Sequence, residues 1–199
     1  MDHRLVAWAR TVKAAQRASG RKAAPVLWLF TDAARMPDPC PAIRRLPRGL
    51  SGVVFRHDGV PGRAALLGAV AALCRARGLA LVVAGDARLA AAARAGVHLR
   101  RGRRPPVRTL RRRLVTASAH GRAELLRAAR AGADLVFLSP AFTTASHPGA
   151  SALGPLRWRI LARCAPVPVL ALGGVDGRRA ALLPRRGCAG VGAISALAD

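Results

Sequence analysis

Two glycines follow an apolar run at Gly173-Gly174, and about twenty residues later a second apolar run ends in Ile194-Ser195. Without a Cβ, the glycines let a ligand oxygen come close to backbone N–H groups. Ser195 and its neighbours open the last turn with unpaired N–H donors, which suits an anion. Other polar residues also stand just after apolar runs. They are Thr31 and Asp32, then Arg56, His57 and Asp58, then Gly85 and Asp86. Arg100, Arg101 and Arg103 follow, then Ser118 and His120. The stretch from Pro140 to Pro148 contributes Thr144, Ser146 and His147 inside a Pro/Gly frame.

Eight apolar runs of β-type would position these groups: Val26–Asp32, Gly52–His57, Leu79–Gly85, Gly96–Leu99, Leu114–His120, Leu135–Phe142, Val167–Val175 and Gly190–Ser195. Most are near-continuous in hydrophobicity, as expected for parallel strands buried on both faces. Helical segments are predicted between them: Arg63–Arg77 stopping at Gly78, Arg122–Ala131 before Gly132, Leu156–Cys164 before Pro166, and Arg178–Arg186 before Gly187. Gly and Pro at those ends are stop signals. Eight βα alternations predict an α/β fold, a single TIM (β/α)₈ barrel. A doubly wound open sheet would instead place a glycine-rich loop after the first strand. Here Thr31-Asp32-Ala33 stands there. Two further features are expected: an amphipathic helix over Leu5–Ser19 and a truncated eighth helix. That gives an N-terminal extension over 1–24 and a barrel over 25–199. The extra helix, or a second copy in a homodimer, would cover the gap beside the last strand.

The chain has 199 residues, 52% of them hydrophobic, which suits one folded domain. No apolar run reaches the ~18 residues that span a bilayer, and Met1–Gly20 has no apolar signal core. A cytoplasmic protein without membrane contact is expected. The formal charge is +25, from 34 basic and nine acidic residues. Only Lys13 and Lys22 are lysines, and Ala and Gly are abundant, a pattern matching GC-rich coding. Aromatics are 4% and no nucleic-acid motif is present, so nucleic acid is not the expected partner. Arg100–Arg113 is the strongest charge run and reads as a solvated loop leading to a short helix. Cys40, Cys74, Cys164 and Cys188 lack zinc spacing and are expected as buried thiols. Asp32 reads as a cap of the following turn. His3, His57 and His98 read as packing or surface residues.

Several segments together resemble one family. They are Leu27-Trp-Leu-Phe-Thr-Asp32, Gly96-Val-His-Leu99, Ser118-Ala-His120, and Ser139-Pro-Ala-Phe-Thr-Thr-Ala-Ser-His-Pro-Gly149. Pro168-Val-Leu-Ala-Leu-Gly-Gly-Val175 and Gly187-Cys-Ala-Gly-Val-Gly-Ala-Ile-Ser-Ala196 complete the set. Residues 26–197 resemble thiamine phosphate synthase and the TenI-type thiazole tautomerases. The resemblance implies a phosphorylated small-molecule substrate, a thiazole phosphate, held at Gly173, Gly174, Ile194 and Ser195. It implies substrate contacts from Arg56, Ser118, Thr144, Ser146 and His147, and places His120 where the tautomerase has its catalytic histidine. The synthase also uses Mg²⁺. Here its Q-L-R-E-K segment reads Val54-Phe-Arg-His-Asp58, and its N-D-R reads Ala84-Gly-Asp86. Its pyrophosphate-binding lysine aligns with His147, and no carboxylate occurs from Ala87 to Arg122. No metal ligand and no cofactor are therefore expected. Three readings stand: a metal-independent TenI-like enzyme of thiamine biosynthesis, a divergent synthase in which Arg101 and Arg103 of the charge run hold the pyrophosphate in place of Mg²⁺, or a non-catalytic phosphate-ligand binding protein.

Overall fold

The structure is a computed structural model that describes residues 1–20, 24–102, 113–144, 149, 151–184 and 187–198. Eight parallel strands close into a barrel in chain order. They are β1 (Leu27–Phe30), β2 (Ser51–Phe55), β3 (Ala80–Ala84), β4 (Gly96–Leu99), β5 (Val115–Ala119), β6 (Leu135–Leu138), β7 (Val169–Ala171) and β8 (Cys188–Ala193). The seam pairs β1 with β8, Leu27 standing opposite Val191. The predicted TIM barrel is the observed fold.

Alternation along each strand separates two cores. Trp28, Phe30, Val54, Val82, Phe137 and Leu170 fill the barrel interior. Their neighbours Leu27, Leu29, Val53 and Phe55 face the helices. Trp28 fits because β2 offers Gly52 opposite it. A Cβ at Gly52 would lie 2.6 Å from the Trp28 ring.

The helices are α1 (His3–Ala18), α2 (Cys40–Arg45), α3 (Arg63–Arg77), α4 (Ala87–Ala92), α5 (Arg122–Arg130), α6 (Gly154–Arg163), α7 (Gly177–Ala180) and α8 (Ser195–Ala198). The Asp2 carboxylate caps α1 by accepting the N–H groups of Arg4 and Leu5. Leu5, Val6, Ala9 and Val12 form its buried stripe, and burial of Leu5, Val6 and Val12 contributes about 1.5–3 kcal/mol each. The helix packs on α7 and β8. It thus covers the flank beside the four-residue α8, as expected.

Several predicted boundaries move. β7 stops at Ala171 rather than Val175, because Gly173 and Gly174 turn the chain with φ of +89° and +63°. β6 stops at Leu138 rather than Phe142, where Pro140 removes a ladder donor. Helices α2 and α4 were not predicted. Each is six residues long, and α4 is capped by Asp86, which accepts the Leu89 N–H at 2.9 Å. The predicted Arg178–Arg186 helix is the shorter α7. Arg100–Gly102 forms a 3₁₀ turn, and the rest of that charge run to Arg112 lies outside the described residues. Three cysteines are buried as expected, but Cys164 is exposed at the outer end of α6.

Candidate functional site

A cavity of about 420 Å³ opens at the C-terminal ends of the strands. Gly173, Gly174, Ile194 and Ser195 line one side, and Arg56, His120 and Thr144 also line it. Seven predicted site residues therefore meet in one space. Ser118 is not on the wall: its Oγ accepts the Arg101 N–H at 3.1 Å and holds the turn after β4. Ser146 and His147 lie outside the described residues.

The cup depends on glycine twice over. Both Gly173 and Gly174 have positive φ, and a Cβ on Gly174 would lie 2.2 Å from the Thr143 carbonyl oxygen. The loop after β6 lies directly against the cup, with Ala141 N–H donating to Leu172 O and Phe142 N–H to Gly173 O. Sequence reasoning assigned these glycines to ligand approach. The structure adds the close passage of a neighbouring loop. Arg179 fastens that passage, since its guanidinium donates to Gly174 O at 2.9 Å and Thr143 O at 3.2 Å. It also lies over the Phe142 ring, 5.9 Å from its centroid. Across the cup, Ser195 and Ala196 begin α8, and no described backbone carbonyl accepts their N–H groups.

Arg56 is held by the two residues that follow β1. Its Nε donates to Thr31 O at 2.8 Å and its Nη2 to Asp32 Oδ2 at 3.2 Å. The backbone behind it is set by a directional chain. His57 Nε2 lies 3.0 Å from Met36 O, and a carbonyl only accepts, so Nε2 carries the hydrogen. With the hydrogen on Nε2, Nδ1 of a neutral ring is placed to accept from the Thr31 hydroxyl at 3.0 Å, and the Thr31 oxygen accepts the Arg56 N–H. His57 is a packing residue, as expected. So is His98, whose Nδ1 meets Thr116 Oγ1 at 2.8 Å inside the barrel. Burial, with Arg56 and Arg100 adding, pushes its pKa down to about 3, so it stays neutral. Asp32 caps its turn through the Arg35 N–H.

His120 projects from the end of β5 with 46% of its side chain exposed. Its Nδ1 lies 2.9 Å from Glu124 Oε2, and the same oxygen accepts the His120 N–H at 2.9 Å. Burial tends to raise the Glu124 pKa. The hydrogen bonds from the His120 ring and backbone outweigh it, so the carboxyl lies below its ordinary value.

Arg35, Ser139, Asp176 and Arg179 also line the cavity and were not singled out from the sequence. Among the described residues, Arg35, Arg56 and Arg179 stand against one lining carboxylate, Asp176, a balance that favours anions.

The carboxylates at the ends of β2 and β3 do not form a donor set for Mg²⁺. Arg63 lies between them, 2.9 Å from Asp58 and 3.7 Å from Asp86, and Arg100 also pairs with Asp58. Mg²⁺ requires oxygen ligands in near-octahedral array. Among the described residues, no group of three candidate ligands converges.

Comparison with known proteins agrees with this architecture. A thiamine-phosphate synthase of Chloroflexus aurantiacus is 33% identical over 130 residues, 63% of this chain and 60% of that one. The thiamine biosynthesis bifunctional protein ThiM/ThiE of Symbiobacterium thermophilum is 35% identical over 193 residues, 89% of this chain. The match takes in 39% of that protein, so the chain spans less than two thirds of both relatives. In fold, it is similar to thiamine phosphate pyrophosphorylase from Pyrococcus furiosus, with a TM-score of 0.75 and 24% identity over 87% of this chain and 88% of that one. The model of the thiamine monophosphate synthase family, TMP-TENI, matches residues 43–197. With most of the barrel inside that match, the chain belongs to the thiamine monophosphate synthase (TMP-TENI) family.

Proposed function

We propose that the cavity binds a thiazole phosphate and that the chain is a TenI-like enzyme that shifts a proton within this substrate without a divalent cation. The observation that carries this reading is the union, in one anion-favouring cavity, of the Gly173-Gly174 and Ser195 cup with His120. Tautomerisation conserves all atoms: a base takes a proton from one position of the ring system and an acid returns it to another. A histidine in reach of both positions supplies both roles. Arg56 and Thr144 orient the substrate from the remaining wall. The arginines beside Asp58 and Asp86 support independence from Mg²⁺, because Arg63 and Arg100 both pair with Asp58 and Arg63 also reaches Asp86.

A divergent synthase is the second reading, favoured by the relatives named thiamine-phosphate synthase. Two assays separate the readings: thiazole phosphate isomerisation with EDTA, and thiamine phosphate formation from both phosphorylated precursors with Mg²⁺. The expected outcome is isomerisation unaffected by EDTA and reduced about 10²–10⁴-fold in His120→Ala. Mg²⁺-dependent synthase turnover would instead establish the second reading. Thiazole phosphate binding with no turnover in either assay would leave a phosphate-ligand binding protein.

A further inference from the structure

We propose that Glu124 is a positioning residue that fixes the tautomer of His120 and leaves Nε2 as the proton-transferring atom. This rests on the reading of His120 as the acid–base of the cavity. The carboxylate accepts the His120 ring Nδ1 at 2.9 Å. A carboxylate oxygen only accepts, so Nδ1 carries the hydrogen in the neutral ring and Nε2 is left with its lone pair. Nε2 has no partner among the described residues, and the ring lines the cavity. The geometry is that of a histidine–carboxylate pair, in which the acid orients the imidazole and stabilises the imidazolium formed when it takes a proton.

The local sequence explains the arrangement. Gly121 is the N-cap of α5 and has no side chain to serve the first turn. Glu124 stands at the third helical position, where a carboxylate opposes the positive end of the helix. Capping-box glutamates at this position reach back to the N-cap N–H. Here Oε2 reaches one residue further, to the N–H of His120, and takes the ring with the same atom. Two cations steady the carboxylate's surroundings. Arg101, on the turn after β4, lowers the Glu124 pKa further, and Arg127 on α5 donates to Arg101 O at 3.3 Å. The Arg101 N–H is in turn tied to Ser118 Oγ. Ser118, expected to contact substrate, thus supports the element that flanks this pair.

Capping alone would account for the backbone contact, so the test must read the ring. In chain labelled with ¹⁵N at its histidines, the His120 resonances are identified by their loss in His120→Ala. Under mildly alkaline conditions the expected tautomer is Nδ1–H. Glu124→Ala should move it toward Nε2–H, the form that unrestrained histidine prefers. The same variant should lower kcat for thiazole phosphate isomerisation roughly a hundredfold. KM should stay within about twofold, because the cup is untouched. Glu124→Gln keeps an acceptor oxygen, so it should hold more of the Nδ1–H form and more turnover than Glu124→Ala. It also serves if Glu124→Ala fails to fold. An Nε2–H ring in the unmodified chain, or an unchanged tautomer and kcat in Glu124→Ala with only a lower Tm, would overturn the proposal. If the tautomer shifts but neither Glu124→Ala nor His120→Ala alters isomerisation, the pair stands and the acid–base reading of His120 fails.

Discussion

At the scale of single residues, the wall of the cavity turns on two adjacent glycines. Gly173 and Gly174 stood out because they pair with a second apolar run ending in Ile194-Ser195, a spacing that suits an anion site. They occupy the cup with φ of +89° and +63°. Arg179 and Arg35 were not legible, because one arginine among 34 basic residues carries no mark. Only the fold shows that Arg179 joins two loops. The Gly174 position has a sharp consequence. A methyl group there meets the Thr143 carbonyl and imposes a left-handed conformation on an L residue. Gly174→Ala should cost at least about 1–3 kcal/mol by strain alone. It should also weaken thiazole phosphate binding more than a comparable loss of stability made in α3. Calorimetric titration beside a thermal melt checks this, and unchanged affinity would remove Gly174 from the cup.

At the scale of elements, helices that end in glycine were readable. The Arg63–Arg77 segment is α3 as predicted. Helices α2 and α4 escaped notice because six residues hold too few turns to display a period. Asp86 shows how one residue hides an element. It was weighed as a candidate beside a strand end, while its carboxylate in fact starts α4 and leans toward Arg63. Asp2 does comparable work for α1. It caps the helix and also accepts the Gly177 N–H at 2.6 Å, while its own N–H donates to Ala196 O at 2.9 Å. Both contacts fall on the elements that frame the cup. Asp2→Ala should therefore lower stability by about 0.5–2 kcal/mol through the lost cap. It should also reduce thiazole phosphate affinity, although residue 2 does not line the cavity. A variant that melts earlier yet binds as before would confine Asp2 to capping.

At the scale of the whole molecule, the distribution of acidic residues is uneven. Asp32, Asp58, Asp86 and Asp176 stand at strand ends, and Glu124 is the only carboxylate within any described helix. Among the described residues, no helix is long and apolar enough to cross a membrane. The barrel interior carries its own titration. His98 has a folded pKa of about 3 against an ordinary 6.5. Between these values the unfolded chain takes up a proton that the folded chain refuses, so stability rises with pH there. The contribution is present above 6.5 and is lost as pH falls toward 3. Urea midpoints measured across that interval should decline toward acid. They should decline less steeply in His98→Gln, itself less stable at neutral pH. Equal slopes would show that other groups govern the acid limb.

The tie between Asp2 and Gly177 joins positions 175 apart in sequence. Contacts of that span require most of the chain to be ordered before they can form, and they slow folding. During synthesis the first helix emerges long before its partners on α7 and α8 exist. Its apolar stripe must stay unsatisfied, or be shielded, until the last strand closes the ring. Assembly of the cup at Gly173, Gly174 and Ser195 is therefore a late event, and its formation marks completion of the barrel's tertiary structure.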